Sequence, residues 1–152
     1  MNPPKQCDVV FSPLSIENLE KISSQIDSQD ASQFTALSDL NSISEAMRTA
    51  DKDRYLQVHT GDDLVGIVLG RGIDEGFEDV RLAIYIVKKY RGRGLGFKII
   101  TKFLFNYTDN ENFNKFSVKV KKQNSKAILL YKRLGFHVYE ESAEDYFLEL
   151  EV

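Results

Sequence analysis

The residues best placed to do chemistry lie between Lys88 and Gly96. There Lys88-Lys89-Tyr90-Arg91-Gly92-Arg93-Gly94-Leu95-Gly96 sets three alternating glycines among four basic side chains. Glycine lets the backbone take conformations closed to other residues and approach a ligand closely. The run follows an alternating apolar stretch and precedes a helical period, so it marks a strand-to-helix junction. A helix start offers unpaired N–H groups and the positive end of the peptide dipole. Together these features describe an anion site that suits a diphosphate. The same glycines could merely permit a tight turn beside a solvated basic face, but three of them with four cations favour a ligand. Two common phosphate motifs fail on spacing. A dinucleotide fingerprint needs a third glycine three positions after the second, where this chain has Phe97 or Ile99. A P-loop closes on Gly-Lys-Ser/Thr, and here Gly96 is followed by Phe97-Lys98.

A second cluster is Asn124-Ser125-Lys126-Ala127-Ile128-Leu129-Leu130-Tyr131-Lys132-Arg133-Leu134-Gly135-Phe136. Asn124-Ser125 caps a helix whose Ala127, Ile128, Leu130, Tyr131 and Leu134 face inward, and Gly135 suits the position just past its end. On these grounds Asn124 could be a plain cap and Tyr131 a packing residue. His59 and His137 are lone histidines and read as structural. The one cysteine, Cys7, can form no internal disulfide and gives no metal-ligand spacing.

The elements that must position these residues alternate in period. Val9-Val10-Phe11 reads as a strand, followed by a helix with Ser12 as cap, Pro13 at its first position, and Ile16, Leu19, Ile22 and Ile26 on one face. A second amphipathic stretch carries Leu37, Leu40, Ile43 and Met47. Strands over 55–60 and 64–73 flank a turn at Gly61-Asp62-Asp63, and an acidic loop spans 74–79. The 80–87 strand is apolar on both faces in its second half, as a central strand covered on both sides would be. After the glycines a helix runs to Tyr107, and Phe116, Val118 and Val120 mark a further strand. Phe136–Glu140 and Tyr146–Leu150 follow the Asn124 helix as a closing pair. The order β-α-α-β-β-β-α-β-α-β-β implies an α/β fold with a mixed, mostly antiparallel central sheet and flanking helices.

The chain has 152 residues, 42% of them hydrophobic and 28% charged, which suits one domain over 1–152 with a substantial core. No apolar run is long enough to span a membrane, and the first residues hold no signal-like apolar stretch, so a cytoplasmic protein is expected. Charge is split by sign. Residues 1–80 hold 6 Lys/Arg against 15 Asp/Glu, and residues 81–152 hold 14 against 8. Such asymmetry points to a charged partner.

Arg91-Gly92-Arg93-Gly94-Leu95-Gly96 resembles the Arg/Gln-x-x-Gly-x-Gly/Ala signature of the GNAT N-acetyltransferases. The segment from Asn124 to Phe136 resembles that family's Asn-x-x-Ala-x-x-x-Tyr-x-x-x-Gly-Phe motif, in the right order and spacing. The resemblance is firm over about residues 54–140 and implies the GNAT fold. It also implies acetyl-CoA as acetyl donor, with no metal. By that resemblance Ile86 and Val87 would offer backbone groups to the pantetheine arm. The amides of Arg91, Gly92, Arg93, Gly94, Leu95 and Gly96 would cradle the diphosphate, and Asn124 would contact the cofactor arm. Tyr131 would protonate the leaving thiolate, a task suited to a phenol that stays protonated at neutral pH. Members with a carboxylate base often place it on the strand before the glycines, and Val80–Val87 holds none. Glu78 and Asp79 could act through water, Glu144 or Asp145 from the opposite wall, or the amine could arrive already deprotonated.

The reading is therefore an N-acetyltransferase that moves acetyl directly to an amine acceptor. The acidic N-terminal half favours a cationic small molecule or peptide amine, and a homodimer is compatible with the long final hairpin. A catalytically inactive acyl-CoA-binding or sensing module is the alternative. A nucleic-acid binder using Lys88, Lys89, Arg91, Arg93, Lys119, Lys121, Lys122 and Lys126 is disfavoured by the negative net charge and the lack of a recognised motif.

Overall fold

The computed structural model describes residues 8–28, 30, 47, 55–71, 79–108 and 115–151. Its strands are β1 (Val9–Pro13), β2 (Tyr55–Thr60), β3 (Asp63–Arg71), β4 (Asp79–Ile86), β5 (Lys115–Lys121), β6 (His137–Glu141) and β7 (Asp145–Glu151). Among the described residues the α-helices are α1 (Ile16–Ser23), α2 (Leu95–Thr108) and α3 (Ser125–Arg133), with a 3₁₀ turn at Lys88–Tyr90. The strands form one seven-stranded sheet in the order β1-β2-β3-β4-β5-β7-β6. Within it β4 and β5 pair in parallel, and the other neighbours pair antiparallel. The mixed, mostly antiparallel sheet with flanking helices is thus as expected.

Each face of the sheet carries its own core. On one face Val58, Val65, Val80, Phe116 and Leu148 pack against Ile99 and Phe103 of α2 and Tyr131 of α3. On the other, Ile67, Leu69 and Tyr85 pack against Leu19 and Ile22 of α1. Side chains alternate along a strand, so β4 sends Val80, Leu82, Ile84 and Ile86 to the first face and Ala83 and Tyr85 to the second. This double covering is why the strand reads as apolar on both sides.

Local departures from the expected elements have simple causes. Pro13 belongs to β1 rather than to the following helix, because β1 stays paired to β2 as far as Pro13 opposite Leu56. An edge strand tolerates proline. The cap of α1 is therefore Ser15, whose hydroxyl accepts from the Asn18 amide at 3.1 Å, and not Ser12. The helix stops at Ser23, short of Ile26, which still packs against the α1 core. Leu37, Leu40 and Ile43 lie outside the described residues, whereas Met47 packs against that same core. Gly61 turns the β2–β3 hairpin at φ 59°. Among the described residues, no helix is long and apolar enough to cross a membrane.

Candidate functional site

The site begins with a break in the sheet. β4 and β5 are in register for four residue pairs, from Asp79 opposite Lys115 to Leu82 opposite Val118. Beyond Leu82 the two strands part, while β3 continues along β4 as far as Gly66 opposite Ile86. Antiparallel strands alternate bonded and non-bonded pairs. The Val87 amide donates to the Val65 carbonyl at 2.8 Å, so Tyr85 and Ala83 also turn their backbone groups toward β3. Ile84 and Ile86 turn theirs into the gap. A cleft of about 1260 Å³ opens there, lined from β4, β5, the glycine run, the start of α2 and one side of α3.

At one end the cleft meets the glycine run. Gly92 and Gly94 have φ of 79° and 75°, a left-handed backbone that other residues adopt at a cost, and added Cβ atoms there would meet open space. Gly96 is different. Its φ is not left-handed, but a Cβ would stand 2.9 Å from Leu130 Cδ2, so this glycine lets α2 approach α3. The first amides of α2, at Leu95, Gly96 and Phe97, precede the first intrahelical bond, which Lys98 makes to the Gly94 carbonyl. Gly92, Gly94, Leu95, Gly96 and Lys98 line the cleft. Unbonded amides with a helix dipole directed at them are an arrangement that can hold an anion.

Arg91 does a different job from its neighbours. Its Nε donates to the Ile86 carbonyl at 2.9 Å, and its two terminal nitrogens grip Asp30 at 2.9 and 3.1 Å. Asp30 is buried, and the buried Tyr85 hydroxyl donates to it at 3.0 Å. Burial, and then this bond to a carboxylate, push the Tyr85 phenol up to about 12. The guanidinium also lies 5.3 Å from the Tyr85 ring centre. The side chain thus fastens the glycine run to the end of β4, and its amide donates to the Lys88 carbonyl. Val87 likewise has both backbone groups bonded inside the protein, to Val65 and Tyr90. Arg93 stands beside Tyr90 in the same run, 5.8 Å from the ring centre.

Asn124 caps α3 through its Oδ1, which accepts from the Ala127 amide at 3.3 Å. It also lines the cleft, as does Tyr131. Tyr131 is 4% exposed and stacks edge-on to Phe136 at 5.3 Å. No described residue hydrogen-bonds its hydroxyl, and burial raises its pKa well above that of a free phenol. The phenol therefore stays protonated at neutral pH, on a residue that lines the cleft.

Glu78 lies outside the described residues. Asp79 opens β4 opposite Lys115, and nothing of its side chain is described. Glu144 and Asp145 do not line the cleft. They hold Lys121 at 3.3 and 3.4 Å on the far side of β5, and Asp145 also meets Lys119 at 3.8 Å. The charged residues among the described lining are Arg81, Arg91, Lys98, Lys119, Lys126 and Arg133, all cationic. Asp27 and Asp30, the described acids of the N-terminal segment at this end, are ion-paired to Lys88 and Arg91. His137 pairs with Glu149 at 3.4 Å, and Cys7 is outside the described residues. Sequence reasoning missed the Asp30–Arg91–Tyr85 cluster and the cleft position of Arg81 and Lys119. A tyrosine hydroxyl on a buried strand face was the one available signal for the first.

The acetyltransferase (GNAT) family model matches residues 16–136. No curated protein sequence matches the chain. Several solved structures share its fold. Spermidine N-acetyltransferase from Vibrio cholerae, in complex with CoA and spermine, is 18% identical with a TM-score of 0.76 and 95% coverage of each chain. The microcin C7 self-immunity acetyltransferase MccE, in complex with acetyl-CoA and AMP, is 16% identical with a TM-score of 0.75, covering 95% of this chain and 93% of its own. Campylobacter jejuni N-acetyltransferase PseH is 17% identical with a TM-score of 0.67, covering 94% and 97%.

Proposed function

This chain belongs to the acetyltransferase (GNAT) family, and we propose that its cleft binds acetyl-CoA and passes the acetyl group directly to an amine. The observation that carries the reading is the parting of β4 from β5. It leaves both backbone groups of Ile84 and the Ile86 amide facing a gap that ends on the unbonded amides from Gly92 through the start of α2, while the Ile86 carbonyl is held by Arg91. A pantetheine arm is a chain of amides, and a strand edge is the natural partner for one. Acetyl-CoA supplies the activated acyl group. The amides from Gly92 to Gly96 hold its diphosphate, with Arg93 and Lys98 adding charge at the mouth. Ile84 and the Ile86 amide take the arm, and Asn124, which lines the cleft, contacts it. Arg91 acts on this site by position, through the Ile86 carbonyl and Asp30.

In the transfer, the amine nitrogen bonds to the acetyl carbon and the C–S bond breaks. The sulfur leaves with its electron pair, and Tyr131 gives it a proton. The amine loses its extra proton through water, with Glu78 and Asp79 the acids proposed to receive it. The cationic lining eases this loss, because positive neighbours lower the pKa of an ammonium group.

The test is thiol release from acetyl-CoA across a panel of amines, with Tyr131→Phe and Cys7→Ala in parallel. The reading expects turnover with sequential kinetics, unaffected by Cys7→Ala. Acetyl-CoA binding with no turnover by any amine would instead indicate a non-catalytic acyl-CoA sensor.

A further inference from the structure

The cleft does not end at the proposed cofactor arm. It reaches through the gap to the opposite face of the sheet, where Arg81, Ala83 and Tyr85 of β4 and Lys119 of β5 line it. Arg81 shares its face with Ala83 and Tyr85, whose partners are the α1 core, and points away from α2. It stands five residues before Ile86, roughly 16 Å along the strand at a rise of about 3.3 Å per residue. The diphosphate cradle is therefore at the other end and on the other face. Arg81 is exposed and forms no ion pair with any described residue. Lys119 lies just past the last β4–β5 pair on the same face, and its carboxylate contact, Asp145 at 3.8 Å, is shared with the nearer Lys121 at 3.4 Å. No carboxylate lines this mouth among the described residues.

We infer that the acceptor carries an anionic group, a carboxylate or a phosphate, beside its amine, and that Arg81 with Lys119 holds it. This rests on the acetyl-transfer reading and names the acceptor class for it. An arginine fork matches the planar oxygens of a carboxylate or phosphate. The same charges repel a polyamine and lower the pKa of the nearby ammonium. The class therefore differs from the purely cationic acceptor that the charge split of the sequence suggests. Of the acids behind that expectation, Asp27 and Asp30 are ion-paired, and the others with described side chains, Asp8, Glu17, Glu20, Asp62 and Asp63, do not line the cleft.

The experiment titrates the CoA-loaded protein with matched probes: O-phosphoethanolamine against ethanolamine, and 4-aminobutyrate against butylamine. The same probes are then assayed with acetyl-CoA. At least one anionic member should bind about ten-fold or more tightly than its counterpart, the scale of one charge-assisted contact. Which pair shows the larger ratio distinguishes phosphate from carboxylate. Arg81→Gln should erase the preference through acceptor affinity and KM, with acetyl-CoA affinity unchanged, and Arg81→Glu should reverse it. Equal binding within both pairs, or a preference that survives Arg81→Gln, overturns the inference. A preference that stands while no probe is acetylated would leave the acceptor site in place and refute acetyl transfer instead.

Discussion

At its α2 end the cleft is lined by main chain, whereas at its Arg81 end it is lined by side chains. The first end depends on Gly92 and Gly94 being left-handed and on amides that a helix start leaves unbonded. Nearly all of it comes from one stretch of sequence. The second end depends on β4 and β5 lying in register up to Leu82 and Val118, which brings Arg81 and Lys119 together from separate stretches. In the proposed reading the backbone cradle recognises the cofactor that every reaction of such an enzyme shares. Side chains on strands can change without disturbing the fold, which makes that end the place for specificity.

The largest expected effect falls on a residue that lines the cleft between β4 and α3. Tyr131→Phe should lower kcat about a hundred-fold or more, the usual scale of a lost general acid. Acetyl-CoA affinity should hardly change. Because no described residue bonds the hydroxyl, and the ring keeps its packing on Phe136, thermal stability should stay level or rise. A parallel loss of stability and activity would make Tyr131 a structural residue.

Next is the fastening of the cradle. Asp30→Ala leaves the Arg91 guanidinium without its bidentate partner and should cost about 2–3 kcal/mol in denaturant unfolding. It should also weaken acetyl-CoA binding, since Arg91 ties the glycine run to Ile86. Full stability with weakened binding would show that the cluster serves the ligand more than the fold.

Two glycines of the same run should then respond differently. Gly94→Ala forces a side chain into a left-handed conformation at about 1–2 kcal/mol, felt in both unfolding and cofactor affinity. Gly96→Ala meets the mobile end of Leu130 and should cost about 1 kcal/mol or less, mostly in stability. Equal effects would blur the distinction between a cradle glycine and a packing glycine.

The last effect is confined to alkaline pH and is absent at neutral pH. Tyr85, pushed up to about 12, keeps its proton in the folded state while a free phenol loses it near 10. Below about pH 10 both states are protonated and stability is unaffected. As pH rises from there toward 12 the unfolded state sheds a proton the native state retains, so stability falls. Tyr85→Phe should flatten that decline in a pH series of unfolding midpoints, and an unchanged slope would place the loss elsewhere.

The same contrast explains what could be read from the sequence. The glycine run, the Asn124 cap and the inward Tyr131 are local patterns, and the period of two or of three to four located most strands and helices. The splay of β4 from β5 was not visible, because register between distant strands leaves no local mark. Arg81 looked like one more cation in a basic half, and Asp30 like one more loop acid. Only the pairing that brings Asp30 to Arg91 and Tyr85 gives it a task. The start of α1 and its Ser15 cap were misjudged because β1 continues pairing through Pro13, a tertiary effect on a local signal.

The most direct test of the account is the thermal unfolding of the purified protein with acetyl-CoA, CoA, ATP and NAD side by side. The account predicts a concentration-dependent rise with acetyl-CoA and CoA, worth about 2.7 kcal/mol at a hundred times Kd, and little with ATP or NAD. No rise with the CoA species, or an equal rise with ATP, would contradict a cleft built for a pantetheine arm.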